Sequence, residues 1–128
     1  MTIRCRMCFF TELGIPEPDV NLGVGSGSHA VQTAKIMTAF EEVAIQQKCD
    51  LILVVGDVTS TMACALVAAK LQIPVAHVEA GIRSFDRAMP EEINRIVTDA
   101  VSDYLFPPTQ TGVDNLLQEG IPNKKIFL

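Results

Sequence analysis

The chain has 128 residues, 48% hydrophobic and 20% charged, which is the composition of one globular domain and excludes a disordered segment. A net charge of -5, with Lys and Arg scattered singly, excludes the broad basic field of a general nucleic-acid binder. No apolar run approaches the roughly 20 residues of a membrane span and no signal-peptide pattern opens the chain, so it reads as cytoplasmic, with no membrane partner and with Cys5, Cys8, Cys49 and Cys64 as reduced thiols.

Residues 1–28 show no sustained period and read as an irregular lead-in containing Pro16, Pro18 and the small-residue stretch Gly23 to Ser28, with one short strand expected near Asn21 to Val24. From Ser28 onward Ile36, Phe40, Val43 and Gln47 fall near helical spacing, with Ser26 or Ser28 available as N-cap, and predict a helix from His29 to Lys48. Leu51 to Val55 is an unbroken apolar run between Asp50 and Gly56, the pattern of a fully buried parallel strand. The same unit then recurs: helix Thr59 to Lys70, strand Val75 to Val78, helix Pro90 to Val101, strand Tyr104 to Pro107, helix Thr109 to Gln118 and strand Ile126 to Leu128. Each interval between strands has room for a crossover helix, so residues 29–128 predict an α/β fold, a three-layer Rossmann-like arrangement around a mainly parallel sheet.

In such sheets ligands bind beyond the carboxyl ends of the strands. The polar residues gather there, as Gly56-Asp57-Val58-Thr59 after the first strand and His77-Val78-Glu79-Ala80-Gly81-Ile82-Arg83-Ser84 after the second. Asp57 has two readings, a functional carboxylate or a cap on the next helix, where Thr59 and Ser60 offer the same service. Pro90 suits the first helical position, and Glu91 and Glu92 after it suit the helix dipole as well as they suit chemistry. Glu79 ends an apolar strand and precedes the small pair Ala80-Gly81. A partly buried carboxylate there is the usual way in which a glutamate becomes an acid or base near neutral pH. His77 lies two residues before it on the same strand face, as a ligand contact or, the favoured reading, a hydrogen-bonded core residue. Cys5-Arg6-Met7-Cys8 is a lone pair without a partner pair or a thioredoxin-like context, and His29 and His77 form no ligand-spaced cluster, so no metal site is expected. Gly23-Val24-Gly25-Ser26-Gly27-Ser28 matches neither the dinucleotide fingerprint nor a Walker loop, and reads as a connector or as a place where backbone approaches a ligand or another subunit.

These segments, taken in order, resemble the non-hydrolysing UDP-N-acetylglucosamine 2-epimerases. The likeness rests on Leu13-Gly14-Ile15-Pro16, Asn21 through His29, Gly56-Asp57, His77 through Ser84, Met89-Pro90-Glu91-Glu92-Ile93-Asn94-Arg95 and Asn115-Leu116-Leu117, and runs from about Phe9 to Leu128. The resemblance implies a GT-B-like enzyme of two domains, with this chain as an incomplete first domain and the substrate in the cleft between them. It implies interconversion of UDP-N-acetylglucosamine and UDP-N-acetylmannosamine by elimination and re-addition of UDP, with no cofactor. By motif, Asp57, Glu79 and Glu91 correspond to the catalytic acids of the family, and His77, Arg83 and Arg95 to substrate contacts. A homo-oligomer, a dimer in the family, and a place in cell-surface polysaccharide biosynthesis follow from the same likeness.

The departures shape the expectation. Family members open with a strand and a Gly-x-Arg-Pro-Glu loop that approaches the phosphates, whereas Met1 to Phe10 matches neither, and the histidine-bearing second domain is absent. Val58 replaces a usual threonine, and Ala100 stands where a histidine is common. The chain alone is therefore expected to be inactive, as a domain awaiting its remaining parts; the alternative is a silent remnant with an interaction or regulatory role, or a truncated reading frame. Without a central first strand it is expected to associate or to pack loosely.

Overall fold

Among the described residues three short parallel strands form the sheet, and their direction of growth decides which surfaces are covered. The structure is a computed structural model that describes Pro16 and residues 18–128. Helix α1 (His29–Gln47) leads into β1 (Ile52–Val55), α2 (Thr59–Lys70), β2 (Val75–Val78), α3 (Pro90–Val101), β3 (Tyr104–Phe106), α4 (Gln110–Gln118) and a 3₁₀ turn at Asn123–Lys125. The sheet runs β1-β2-β3, with Ile52 opposite Val75 and Ala76 opposite Tyr104. This is the α/β, parallel-sheet class that the sequence predicts.

Because each strand is added on the same side of the previous one, crossovers of one hand bring α2, α3 and α4 to one face of the sheet. On that face Ile52, Val54 and Val75 pack with Ala65 and Ala68 of α2, and Leu105 packs with Leu116 of α4. The small residues of α2, Ala63, Ala65 and Ala68, are fully covered, which lets the helix lie close to both the sheet and α1. Phe40 of α1 and Cys49 close the edge of that core. Cys64 also packs there, and burial pushes its thiol up to about 11, which keeps it protonated and poorly nucleophilic.

The other face differs from the sequence expectation. Leu53 and Val55 of β1 are 59% and 52% exposed, and Tyr104 and Phe106 of β3 are exposed on the same face. The Leu51–Val55 run is therefore covered on one side only among the described residues, since all three crossover helices sit on the other.

Most element ends lie where local chemistry puts them. Ser28 caps α1 by accepting the Val31 N–H at 3.3 Å, and Lys48, in the left-handed conformation at φ 51°, stops it one residue earlier than expected. Thr109 is the cap of α4, accepting from Gly112 N–H, and not its first residue. β3 ends at Phe106 because Pro107 has no N–H to donate. Two expected strands are absent. Asn21–Val24 is irregular, with the Asn21 side chain accepting the Gly23 N–H. Ile126–Leu128 forms a single parallel bridge, Ile126 to Leu105, because its partner strand is short and ends in Pro107-Pro108. The Cys5–Cys8 pair, the Leu13–Ile15 motif residues and the lead-in through Ile15 lie outside the described residues.

The tightest backbone approach joins the turn after β2 to the start of α4. Gly81 sits at φ 76°, and a Cβ there would lie 2.3 Å from the Gly112 carbonyl oxygen. Gly81→Ala is thus expected to lower unfolding stability by more than about 2 kcal/mol. Gly25→Ala, at a position with open space around it, is expected to change stability by less than about 0.5 kcal/mol. Urea melts of the two variants check the contrast.

Candidate active site

The carboxyl ends of β1 and β2 are neighbours, because Val55 pairs with Val78 and the Gly56 N–H donates to the Val78 carbonyl at 3.1 Å. Asp57 and Glu79 therefore leave the sheet side by side. A Cβ at Gly56 would meet Glu79 Oε2 at an ordinary 3.7 Å, so what calls for glycine there is the left-handed backbone at φ 73°. Glu79 itself adopts φ 73°, a conformation that costs a non-glycine residue about 1 kcal/mol and that concentrates at functional positions. It is exposed, not partly buried as the sequence reading has it. The apolar strand ends before it, and the left-handed turn carries the side chain off the rim of the sheet.

Asp57 does not cap α2. The N-cap is Val58, which makes no side-chain cap bond, and Asp57 Oδ2 instead accepts from Arg95 Nε at 3.0 Å and Nη2 at 2.6 Å. Asn94 Nδ2 donates to the Asp57 carbonyl at 2.8 Å. The α3 motif thus fixes both the backbone and the side chain of Asp57. Arg95 also donates from Nη1 to Glu92 Oε2 at 2.8 Å. Burial works against its charge, but the hydrogen bonds it donates to Glu92 and Asp57 and their negative charges outweigh this and raise its pKa above the ordinary value.

The two glutamates after Pro90 part company. Glu91 is exposed in the first turn of α3 and lines a cleft of about 410 Å³. The starts of α1, α2 and α3 meet at this cleft through His29, Thr59 and Pro90, so three helix dipoles favour an anionic guest. Glu92 turns inward, is 1% exposed, and accepts the Ser84 and Phe85 N–H groups at 3.0 and 2.9 Å. Burial alone would raise its pKa; the Ser84, Arg95 and Phe85 hydrogen bonds overcome this and bring it down to about 2.

His77 and Arg83, the other two expected substrate contacts, are interior. His77 is fully buried, with Nδ1 2.6 Å from Asp99 Oδ1 and Nε2 2.9 Å from the Gly56 carbonyl. The Arg83 side chain is 1% exposed and ion-paired to Asp99 at 2.8 Å and to Glu119 at 2.6 Å. Their polar atoms are engaged by the protein, which matches the core reading of His77. Asp57, Glu79 and Arg95 are thus brought to one rim, Glu91 to the adjacent cleft, and His77 and Arg83 beneath it.

Sequence reasoning passed over the groups that hold this rim together. Asp99 Oδ2 accepts the Gly81 N–H at 3.0 Å, and Asn115 Nδ2 donates to the Gly81 carbonyl at 2.9 Å. The available signal was the pattern of α3, whose buried residues Glu92, Asn94, Thr98 and Asp99 are all polar. Among the described residues no group of three or more His, Cys, Asp or Glu could hold a metal ion, and no helix is long and apolar enough to cross a membrane.

A model of the UDP-N-acetylglucosamine 2-epimerase family matches residues 2–128. The chain belongs to that family. It is 55% identical over 120 residues to the UDP-N-acetylglucosamine 2-epimerase of Methanocaldococcus jannaschii, covering 94% of this chain and 33% of that protein. It is 51% identical over 116 residues to the UDP-2,3-diacetamido-2,3-dideoxy-D-glucuronate 2-epimerase of Pseudomonas aeruginosa, covering 91% of this chain and 33% of that protein. The solved Methanocaldococcus jannaschii enzyme in complex with UDP-GlcNAc and UDP superposes with a TM-score of 0.93 at 54% identity, over 95% of this chain and 34% of that one. The chain thus spans about a third of the length of the curated relatives it matches.

Glu92 predicts a dependence on acidity. Its pKa lies below the ordinary carboxylate value of 4.5, so its stabilisation is fully present above that pH and is lost as pH falls toward about 2. Glu92→Gln is expected to be less stable than the parent by roughly 2–3 kcal/mol at pH 7, with the gap closing between about pH 4.5 and 2. Chemical denaturation across that range measures it.

Proposed function

We propose that this chain supplies the acid–base rim of an enzyme that interconverts UDP-N-acetylglucosamine and UDP-N-acetylmannosamine. The observation that carries the reading is the juxtaposition of Asp57 and Glu79 on adjacent strand ends, with Glu91 on the cleft beside them, in a chain that belongs to this epimerase family. Inverting carbon 2 requires a base to take its proton and a group to assist departure of the anomeric oxygen. The C2–H bond breaks, the C1–O bonding pair leaves with UDP, and a C1=C2 double bond remains. Re-addition of UDP with protonation from the opposite face gives the epimer. Neighbouring carboxylates can take and return protons in both directions, and Arg95 keeps Asp57 aimed at the rim.

The cleft lined by three helix starts suits an anionic nucleotide sugar. The fully engaged Arg83 is left to brace the turn that carries Glu79. The diphosphate needs cations beyond these, and both Arg83 and Arg95 are already ion-paired. The same reading carries a cytoplasmic setting, a homo-oligomer and a role in making surface polysaccharide.

The isolated 128-residue chain is expected to form no detectable UDP-N-acetylmannosamine, because the departing diphosphate lacks stabilisation. Sustained product from the pure chain, with host enzyme excluded, overturns this. Joined to the remainder of the Methanocaldococcus jannaschii relative, the chain is expected to be active. In that chimera Asp57→Asn, Glu79→Gln and Glu91→Gln are each expected to lower turnover about 100-fold or more, with the melting temperature little changed. Parental turnover in any one of them assigns that residue a structural role.

A further inference from the structure

Two strand ends carry the candidate chemistry, and one buried carboxylate is tied to both. Asp99 projects from α3 beneath the rim and is 1% exposed. Its Oδ1 meets His77 Nδ1 at 2.6 Å, and the far nitrogen of that ring, Nε2, lies 2.9 Å from the Gly56 carbonyl, one residue before Asp57. Its Oδ2 accepts the Gly81 N–H at 3.0 Å, two residues after Glu79, and pairs with Arg83 at 2.8 Å. The two ring nitrogens are held between a carboxylate oxygen on one side and a backbone carbonyl on the other, and these two contacts fix the plane of the ring. Glu79 is held at φ 73° between these anchors, a conformation that relaxes unless the turn around it is pinned.

We propose that Asp99 is a positioning residue: through His77 it holds the Gly56-Asp57 strand end, and through the Gly81 N–H it holds the turn of Glu79, so the two carboxylates keep one separation. The geometry stands without any assumption about the reaction; the consequence for turnover rests on the epimerase reading above. Asp99 reaches the Gly56 end through His77 and the Gly81 turn directly, whereas Asn94 and Arg95 bond to Asp57 and Asn115 bonds to Gly81. An asparagine at this position has one acceptor oxygen where Asp99 has two and no charge to hold Arg83, so it weakens the hold on the two ends.

The test has a structural and a kinetic arm. In the 128-residue chain, Asp99→Asn is expected to speed amide hydrogen exchange at Gly81 or Gly56 about tenfold or more, while Ala44 in the interior of α1 keeps its parental rate. In the chimera, Asp99→Asn is expected to lower kcat about 100-fold with KM changed less than about threefold, and Asp99→Glu to recover part of kcat. Unchanged exchange at both glycines overturns the proposal, as does parental kcat in the variant. Equal acceleration at Ala44 means that Asp99 only supports global stability, which also overturns it. If Asp99→Asn does not fold, Asp99→Glu is read in the same two assays: altered exchange confined to the two glycines supports the proposal, and parental behaviour in both sinks it. An inactive parental chimera defeats the epimerase reading alone, because the exchange arm still decides whether Asp99 holds the two ends.

Discussion

The rim depends on ionic and polar groups taken out of water beneath the ends of β1 and β2. Asp99 brings a carboxylate to a position 1% exposed, and it is tolerable there because Arg83, His77 and the Gly81 N–H surround it. Every buried side-chain nitrogen and oxygen among the described residues has a partner. A half-satisfied network of this kind would be worse than an apolar core. That requirement orients α3 with its polar side inward, so that Glu92, Asn94, Thr98 and Asp99 are buried while Ala100 is exposed.

This inversion explains how the sheet, the helix layer and the rim are coupled. From one helix, Asn94 and Arg95 fix Asp57, Glu92 fixes the loop at Ser84 and Phe85, and Asp99 fixes Gly81. The glycines complete the arrangement from the other side, since Gly81 and Gly112 let the turn and the start of α4 touch through their backbones. Positional precision of this kind is what acid–base chemistry on a bound sugar needs, because small displacements of a carboxylate cost large factors in rate.

Much of the fold was legible in the chain because its helices and strands alternate with clear signals. The α2 and α3 boundaries follow from Thr59, Lys70, Pro90 and Val101, and β2 from a short apolar run. What was not legible involved partners distant in sequence. Asp57 kept two readings, carboxylate or cap, because a strand-end aspartate often caps the next helix, and nothing local pointed to its partner Arg95, 38 positions away. Glu79 looked half-buried because Val78 precedes it, yet one left-handed residue turns it outward. Asp99 drew no attention because an aspartate late in a helix gives no local sign that a histidine on β2 will meet it.

The one-sided placement of α2, α3 and α4 gives the two sheet faces different tolerances to mutational drift. On the helix side, Ile52, Val54 and Val75 are confined by close-packed alanines, where even a one-methylene change in volume is felt. On the open side, Leu53, Val55, Tyr104 and Phe106 meet solvent in the described chain. Leu53 and Val55 are therefore the places where polar replacements could make this chain more tractable at high concentration, because no contact on the helix side has to be rebuilt. Leu53 is the safer of the two, since Val55 adjoins Gly56 and pairs with Val78 at the base of the rim.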